Sequence, residues 1–162
     1  MIDKLKKIKL IGFDVDGVFT DGKIYINENG EESKAFHTQD GQGIRQLLDT
    51  GIRVIVISGR KSKAAEKRMI ELGVKDYFLG YREKKDIFLK KIKDYKIKPT
   101  ECAFVGDDIS DRDVLDIVGF PIVVSNGRDE IKKSASYITH KNGGNGAIRE
   151  ISDLIINSKD KE

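Results

Sequence analysis

"LIGFDVDGVFTDGKIYI" (Leu10–Ile26) sets two carboxylates, Asp14 and Asp16, directly after an apolar run. A short run that is continuously apolar reads as a strand buried on both faces of a parallel sheet. A charge one residue beyond such a strand is costly unless something compensates it. In an open parallel sheet, the crevice beyond the carboxyl ends of the strands is where ligands bind. The stretch therefore raises two questions together: which strands lie beside it, and what their ends bring to the aspartates.

Similar runs recur along the chain: "RVIVIS" (Arg53–Ser58), "DYFLG" (Asp76–Gly80), "CAFVGDD" (Cys102–Asp108) and "FPIVVSN" (Phe120–Asn126). The glycines ahead of three of them, Gly51, Gly73 and Gly119, read as helix C-caps. The segments between are amphipathic. Ile44, Leu47 and Leu48 share a helix face, as do Ala65, Met69 and Leu72, and Ile148, Ile151 and Ile155. Ser110, three residues before Asp113, reads as the cap of a helix over "VLDIV". Strand–helix alternation of this kind predicts an α/β fold, doubly wound and Rossmann-like, with a central parallel sheet flanked by helices.

One segment breaks the alternation. "KIYINENGEESKAF" carries an Asn29-Gly30 turn signal between two extended runs, which predicts a β-hairpin within about residues 19–36. Ile24 and Ile26 fall on one side of it and Tyr25 on the other. A small hairpin with two apolar faces has to be covered, and a second subunit is one candidate.

The chain of 162 residues is 38% hydrophobic and 35% charged, with a formal net charge of +3. Its size predicts one domain over 1–162, ending in a glycine-rich loop and a last helix at about 140–157. The lysines are interleaved with acids, as in "KKDIFLKKIKDYKIK", so they read as a solvated helix face and not as a nucleic-acid stripe. Asp3 and the acids of the closing "SKDKE" read as solvated charge. The single cysteine, Cys102, permits no internal disulfide, fits a reducing cytoplasm and sits in an apolar run as a structural thiol. No stretch has the length of a membrane span, and the N-terminal residues lack the apolar core of a signal peptide.

The chemistry collects at the strand ends. The first ends in Asp14-Val15-Asp16-Gly17, the second in Ser58-Gly59-Arg60, and the fourth in Gly106-Asp107-Asp108 with Asp111 close behind. The segment after the third carries Lys84 and Lys85. So many negative charges in one crevice need a cation. Oxygen ligands without paired His or Cys select a hard ion, Mg²⁺ ahead of Ca²⁺. A Mg²⁺ site beside a lysine and a serine is a phosphate site. There a strand-end carboxylate can attack phosphorus, and a second one two residues on can carry the proton.

"DVDGVFTDG" resembles the first motif of the haloacid dehalogenase superfamily, and Ser58, Lys84 and "GDDISD" look like its second, third and fourth, in order. The resemblance implies Asp14 as nucleophile and Asp16 as general acid/base, its backbone carbonyl lent to Mg²⁺. It also implies Asp107 as a metal ligand, and Asp111 as a supporting one, direct or through water. Ser58 and Lys84 would hold the phosphoryl group; Lys84 is preferred to Lys85 because "GYREK" matches the family's spacing. The gaps between Asp14, Ser58 and Lys84 leave no room for a cap domain, so water must be excluded by a macromolecular substrate or a neighbouring subunit.

"HTQDGQGIRQL" (His37–Leu47), "SGRKS" and "HKNGGNGAIREI" (His140–Ile151), with the hairpin, closely resemble the capless branch of that superfamily that hydrolyses 3-deoxy-D-manno-octulosonate 8-phosphate. What this implies is a homotetramer with hairpins meeting at its centre and C-terminal segments reaching a neighbour's site. Asp40, Gly41 and Gly43 would shape the substrate side, with Gly59 among the substrate-binding residues and Arg60 near the sugar acid's carboxylate. Gly143, Gly144 and Gly146 would permit the tail loop. His37 falls within the matched motif, His140 reads as a surface residue, and Asp108 reads either as a site residue or as a backbone cap. Related capless phosphatases act on sialic-acid or KDN 9-phosphates. Two readings of other classes compete: a phospho-aspartate receiver, which has no need of Asp16, and a non-catalytic tetramerisation module, which has no need of intact Asp14, Asp16, Lys84 and Asp107.

Overall fold

The computed structural model describes residues 1–159; Asp160 and Glu162, read above as solvated charge, lie outside the described residues. The chain opens with a short helix, α1 (Ile2–Lys6), and enters the central strand β1 (Leu10–Phe13). The hairpin β2 (Tyr25–Ile26) and β3 (Glu32–Ser33) follows, with Tyr25 opposite Ser33 and Ile26 opposite Glu32. Then come α2 (Thr38–Asp49), β4 (Arg53–Ser58), α3 (Lys63–Leu72), β5 (Asp76–Leu79), α4 (Lys84–Asp94), β6 (Cys102–Gly106), α5 (Arg112–Leu115), β7 (Phe120–Val123), α6 (Asp129–Lys132), β8 (Tyr137–Ile138) and α7 (Ala147–Lys159).

The main sheet has the order β5-β4-β1-β6-β7-β8 and is parallel throughout. The chain leaves β1 to one side, through β4 and β5, and returns to its other side with β6. That reversal of winding opens the crevice at the carboxyl ends of β4, β1 and β6.

Strand alternation sorts the core into two layers. Ile11, Phe13, Val54, Val56, Ala103 and Val105 point to the side covered by α1, α2, α3 and α7. Leu10, Ile55, Ile57, Cys102 and Phe104 point to the opposite side, where Phe88 and Ile92 of α4 and Val114 and Leu115 of α5 close over them. Each strand therefore buries both faces, which is why the sequence shows continuous apolar runs. Burial pushes the Cys102 thiol up to about 12, so it is an inert core group.

Four details differ from the sequence expectations. A sixth parallel strand, β8, lies at the sheet edge; its two residues are too few to show a period. Strand β5 is half-buried, because it forms the other edge. Gly119 is no C-cap: a Cβ there would stand 2.4 Å from the Thr100 carbonyl, so close backbone approach selects the glycine. Ser110 caps nothing. Asp108 accepts from the Ile109 N–H at 2.7 Å and opens a 3₁₀ turn, Ile109–Asp111, that runs into a helix ending at Leu115.

Packing is close beneath the crevice. A Cβ on Gly12 of β1 would stand 2.4 Å from the Phe104 ring and 2.9 Å from that of Phe88, two rings that meet edge to face. Gly12→Val should therefore cost about 1–3 kcal/mol through overpacking. Denaturant unfolding checks it: a lower midpoint at unchanged slope is expected.

Candidate active site

Asp14 follows β1, and its N–H donates to the Val105 carbonyl at 3.1 Å, extending the strand by one residue. Beyond it the chain turns sharply. The N–H groups of Val18, Phe19 and Thr20 all donate to the Val15 carbonyl, and Thr20 Oγ1 accepts from the N–H groups of Gly17 and Gly22. Phe19 anchors this turn by packing edge-on against Phe13 at a ring separation of 5.7 Å. Gly17 adopts a φ of +90°, and a Cβ there would come within 2.0 Å of Asp107 Oδ2. Only glycine satisfies both demands.

Lys84, the first residue of α4, points into the crevice with its side chain 3% exposed. Its Nζ stands 2.9 Å from Asp14 Oδ1 and 2.7 Å from Asp111 Oδ1. Burial alone pulls its pKa down, but the two carboxylates outweigh burial and hold it above the ordinary lysine value. Lys85 is exposed. Asp111 is fully buried; its Oδ2 accepts from the N–H groups of Asp107 and Asp108 at 2.9 and 3.2 Å. One carboxylate thus ties Lys84 to the loop after β6.

Asp14, Asp107 and Asp111 each offer an oxygen within 4.8 Å of the others. Burial, and then the charges of Asp14 and Asp111, push Asp107 up to about 9; burial, and then Asp111, push Asp14 up to about 6 against the pull of Lys84. Asp107 Oδ1 is buried without a hydrogen-bond partner. An orphaned carboxylate oxygen among crowded acids, on a side chain whose other oxygen lies against Gly17, fits a hard divalent cation.

Asp16, Ser58, Gly59, Arg60 and Asp108 join Asp14, Lys84 and Asp107 around a crevice of about 300 Å³. Arg60 Nη2 lies 2.6 Å from Glu32 Oε2 of the hairpin, and Arg60 Nε lies 3.9 Å from Asp16 Oδ2. A larger groove of about 760 Å³ runs alongside, between the hairpin and the start of α3, lined by Tyr25, Ile26, Glu31 and Lys61–Ala64.

The other glycine motifs stand away from this crevice. Asp40 is buried in α2, and its carboxylate accepts from the N–H groups of Gly146 and Arg149 at 3.3 and 3.0 Å, capping α7 from outside. Gly43 lies where a Cβ would meet Ser152 Oγ at 2.8 Å, and Gly41 where one would meet the Arg68 guanidinium at 2.3 Å, so α2 packs closely on α7 and α3. The loop before α7 sits on the first turn: a Cβ on Gly143 would stand 1.8 Å from the Gly17 carbonyl, and the Gly144 N–H donates to Val18 O at 3.0 Å. His37 caps α2, its Nδ1 accepting from the Gln39 N–H at 3.2 Å. The N–H of His140 donates to Glu150.

Sequence reasoning missed three residues. Asn126, after β7, donates to the Gly17 carbonyl at 3.1 Å and accepts from the Gly143 N–H at 2.6 Å, fastening the tail loop to the first turn. Lys34 and Glu32 of the hairpin reach Asp16 and Arg60. The only sequence signal was the two-residue spacing that puts Glu32 and Lys34 on one side of an extended run.

A buried aspartate at the end of a central parallel strand, an ion-paired lysine and a second aspartate pair at the next strand end define an aspartate-based phosphotransfer enzyme. Family profiles of haloacid dehalogenase-like hydrolases match residues 26–115 and 83–151, and the chain belongs to this family. It is 40% identical over 161 residues to the 3-deoxy-D-manno-octulosonate 8-phosphate phosphatase KdsC of Salmonella typhi, covering 99% of this chain and 86% of that protein. The 3-deoxy-D-manno-octulosonate 8-phosphate phosphatase of Yersinia pestis superposes with a TM-score of 0.96 at 38% identity, over 99% of this chain and 86% of that one. That of Moraxella catarrhalis, solved with a magnesium ion, a phosphate ion and a KDO molecule, superposes with a TM-score of 0.95 at 39% identity, over 98% and 91%.

The electrostatics give a stability test. For Asp14 and Asp107 the folded pKa lies above the unfolded one, so the folded state binds more protons between those values. Stability without metal is full below about pH 4 and falls as pH rises through about 6 and 9. A cation that replaces the proton reverses this loss. Mg²⁺ should therefore raise the melting temperature more at pH 8 than at pH 5, by about 2.7 kcal/mol of stability at a hundredfold excess over Kd. Thermal melts with and without EDTA check it.

Proposed function

We infer that this protein is a Mg²⁺-dependent phosphatase that converts 3-deoxy-D-manno-octulosonate 8-phosphate to the free sugar acid and phosphate, a step of lipopolysaccharide precursor synthesis. The observation that carries the chemistry is Asp14, buried at the end of β1 with Lys84 Nζ 2.9 Å from its Oδ1. What points to the substrate is the likeness over nearly the whole chain to phosphatases named for it.

Asp14 attacks phosphorus in line, the bond from phosphorus to the sugar oxygen breaks, and Asp16 gives that oxygen its proton. Asp16 then takes a proton from water as the water attacks phosphorus and frees Asp14. Lys84 and the Ser58 hydroxyl bind the equatorial oxygens and hold them while charge spreads over them. Asp14, the Asp16 carbonyl and Asp107 would hold Mg²⁺, with Asp111 in support, and the ion supplies charge neutralisation for the phosphoryl oxygens. Asp111 meanwhile fixes the Asp107 loop through the two N–H bonds it accepts.

Gly59 and Arg60 face the substrate side of the crevice. The guanidinium suits a sugar acid's carboxylate. Asp40, Gly41, Gly43, Gly143, Gly144 and Gly146 shape that side indirectly, by setting where α7 and its loop rest on the first turn. The exposed Tyr25 and Ile26 of the hairpin, 50% and 65% accessible, support a homotetramer in which hairpins meet. The buried, unreactive Cys102 supports a cytoplasmic setting, and the interleaved lysines support a small-molecule substrate over nucleic acid.

Asp14→Asn should leave the melting temperature unchanged or higher and lower kcat by at least ~10³-fold, as loss of a nucleophile does. Comparable turnover in the purified variant would refute the mechanism. A panel of eight- and nine-carbon sugar-acid phosphates tests the substrate: kcat/KM should favour the 8-phosphate, and a preference for a 9-phosphate would reassign it. Tyr25→Lys with Ile26→Lys should convert a tetramer to smaller species in sedimentation; an unchanged mass would remove the hairpin from the interface.

A further inference from the structure

We propose that Lys34 positions Asp16 for proton transfer, which makes the hairpin part of the catalytic apparatus. The side chain of Lys34 is fully buried, at 0% exposure, although it belongs to a ribbon outside the main sheet. A lysine stripped of water is costly unless its charge is matched. Its Nζ has two matching groups. It donates to Asp16 Oδ1, and it lies 3.2 Å from Glu32 Oε1 on its own hairpin. Glu32 in turn pairs with Arg60, at the end of β4. The chain Asp16–Lys34–Glu32–Arg60 thus closes between two strand ends by way of the hairpin.

The asymmetry between the two catalytic aspartates makes this consequential. Asp14 is fixed by the Lys84 ammonium deep in the crevice. Asp16 is on the outer, half-buried side, and among the described residues Lys34 is the one hydrogen-bond donor to its carboxylate. The Arg60 Nε at 3.9 Å is beyond hydrogen-bond reach. A proton carrier works only when held within hydrogen-bond distance of the leaving oxygen. The aim of Asp16 therefore depends on Lys34, and Lys34 depends on the hairpin's being seated. A two-stranded ribbon of this size is marginal alone, so the buried ion pair also seats it.

The inference rests on reading Asp16 as the proton carrier, and leaving-group dependence separates the two. A sugar alkoxide needs a proton to depart, whereas p-nitrophenolate departs without one. Lys34→Met and Lys34→Gln should lower the single-turnover rate of sugar release from 3-deoxy-D-manno-octulosonate 8-phosphate by ~10- to 100-fold, a fraction of the full value of general acid catalysis. The single-turnover release of p-nitrophenolate from p-nitrophenyl phosphate, a step that needs no proton, should fall by no more than about threefold, and Lys34→Arg should recover most of the sugar-release rate. Thermal melts confirm folding, since the substituted side chain lies outside both core layers. Equal losses in the two single-turnover release rates, or no loss in either, would overturn a positioning role. Asp16→Asn is the control. If it shows the leaving-group dependence and Lys34→Met does not, only the role of Lys34 fails. If Asp16→Asn shows none, the reading of Asp16 fails and the proposal falls with it.

Discussion

The buried contact of Lys84 with Asp14 and Asp111 is the constraint on which the rest of the site depends. One ammonium, nearly inaccessible to water, neutralises carboxylates from two different strand ends. Removing the ammonium leaves buried carboxylate charge uncompensated, at a cost of about 3–5 kcal/mol. The arrangement brings together the ends of β1 and β6 and the start of α4. It also fixes the Asp107 loop, because Asp111 spends its second oxygen on that loop's N–H groups. What remains unmatched is Asp107, with a buried oxygen that has no partner. The fold therefore satisfies most of the charge it buries and leaves one vertex for a cation.

The glycines serve this constraint more than they serve the substrate directly. Gly17 lets the first turn pass over Asp107, and Gly106 lets Asp111 pack beneath it, since a Cβ at Gly106 would stand 2.5 Å from that of Asp111. Gly143 lets the tail loop lie on the Gly17 carbonyl, where Asn126 fastens both. Asp40 caps α7 from α2 and so fixes the height of that loop. The last helix, far away in sequence, thus supports the turn that carries Asp16. This explains why motifs scattered over the chain act on one small crevice.

The main sheet and the first-rank carboxylates were legible because each signal is local. Continuous apolar runs end in Asp14, Ser58 and Asp107, and strand ends on the same side of a parallel sheet must meet. Edge strand β8 was not legible, since two residues carry no period. The cap at Asp108 was hidden by a rival serine two residues on; the 3₁₀ turn that decides between them depends on Asp111, whose burial is a tertiary fact. Lys34 and Asn126 were illegible for a similar reason. Their partners, Asp16 and Gly17, lie across a fold boundary that no spacing in the sequence reports.

The central claim is that the phosphoryl group passes through Asp14 before it reaches water. Two in-line displacements restore the configuration at phosphorus, whereas one direct attack by water inverts it. The stereochemical course, read in isotopically labelled water with a thiophosphate ester made chiral at phosphorus by heavy-oxygen labelling, decides between them. Retention of configuration is the result predicted here; inversion would contradict it.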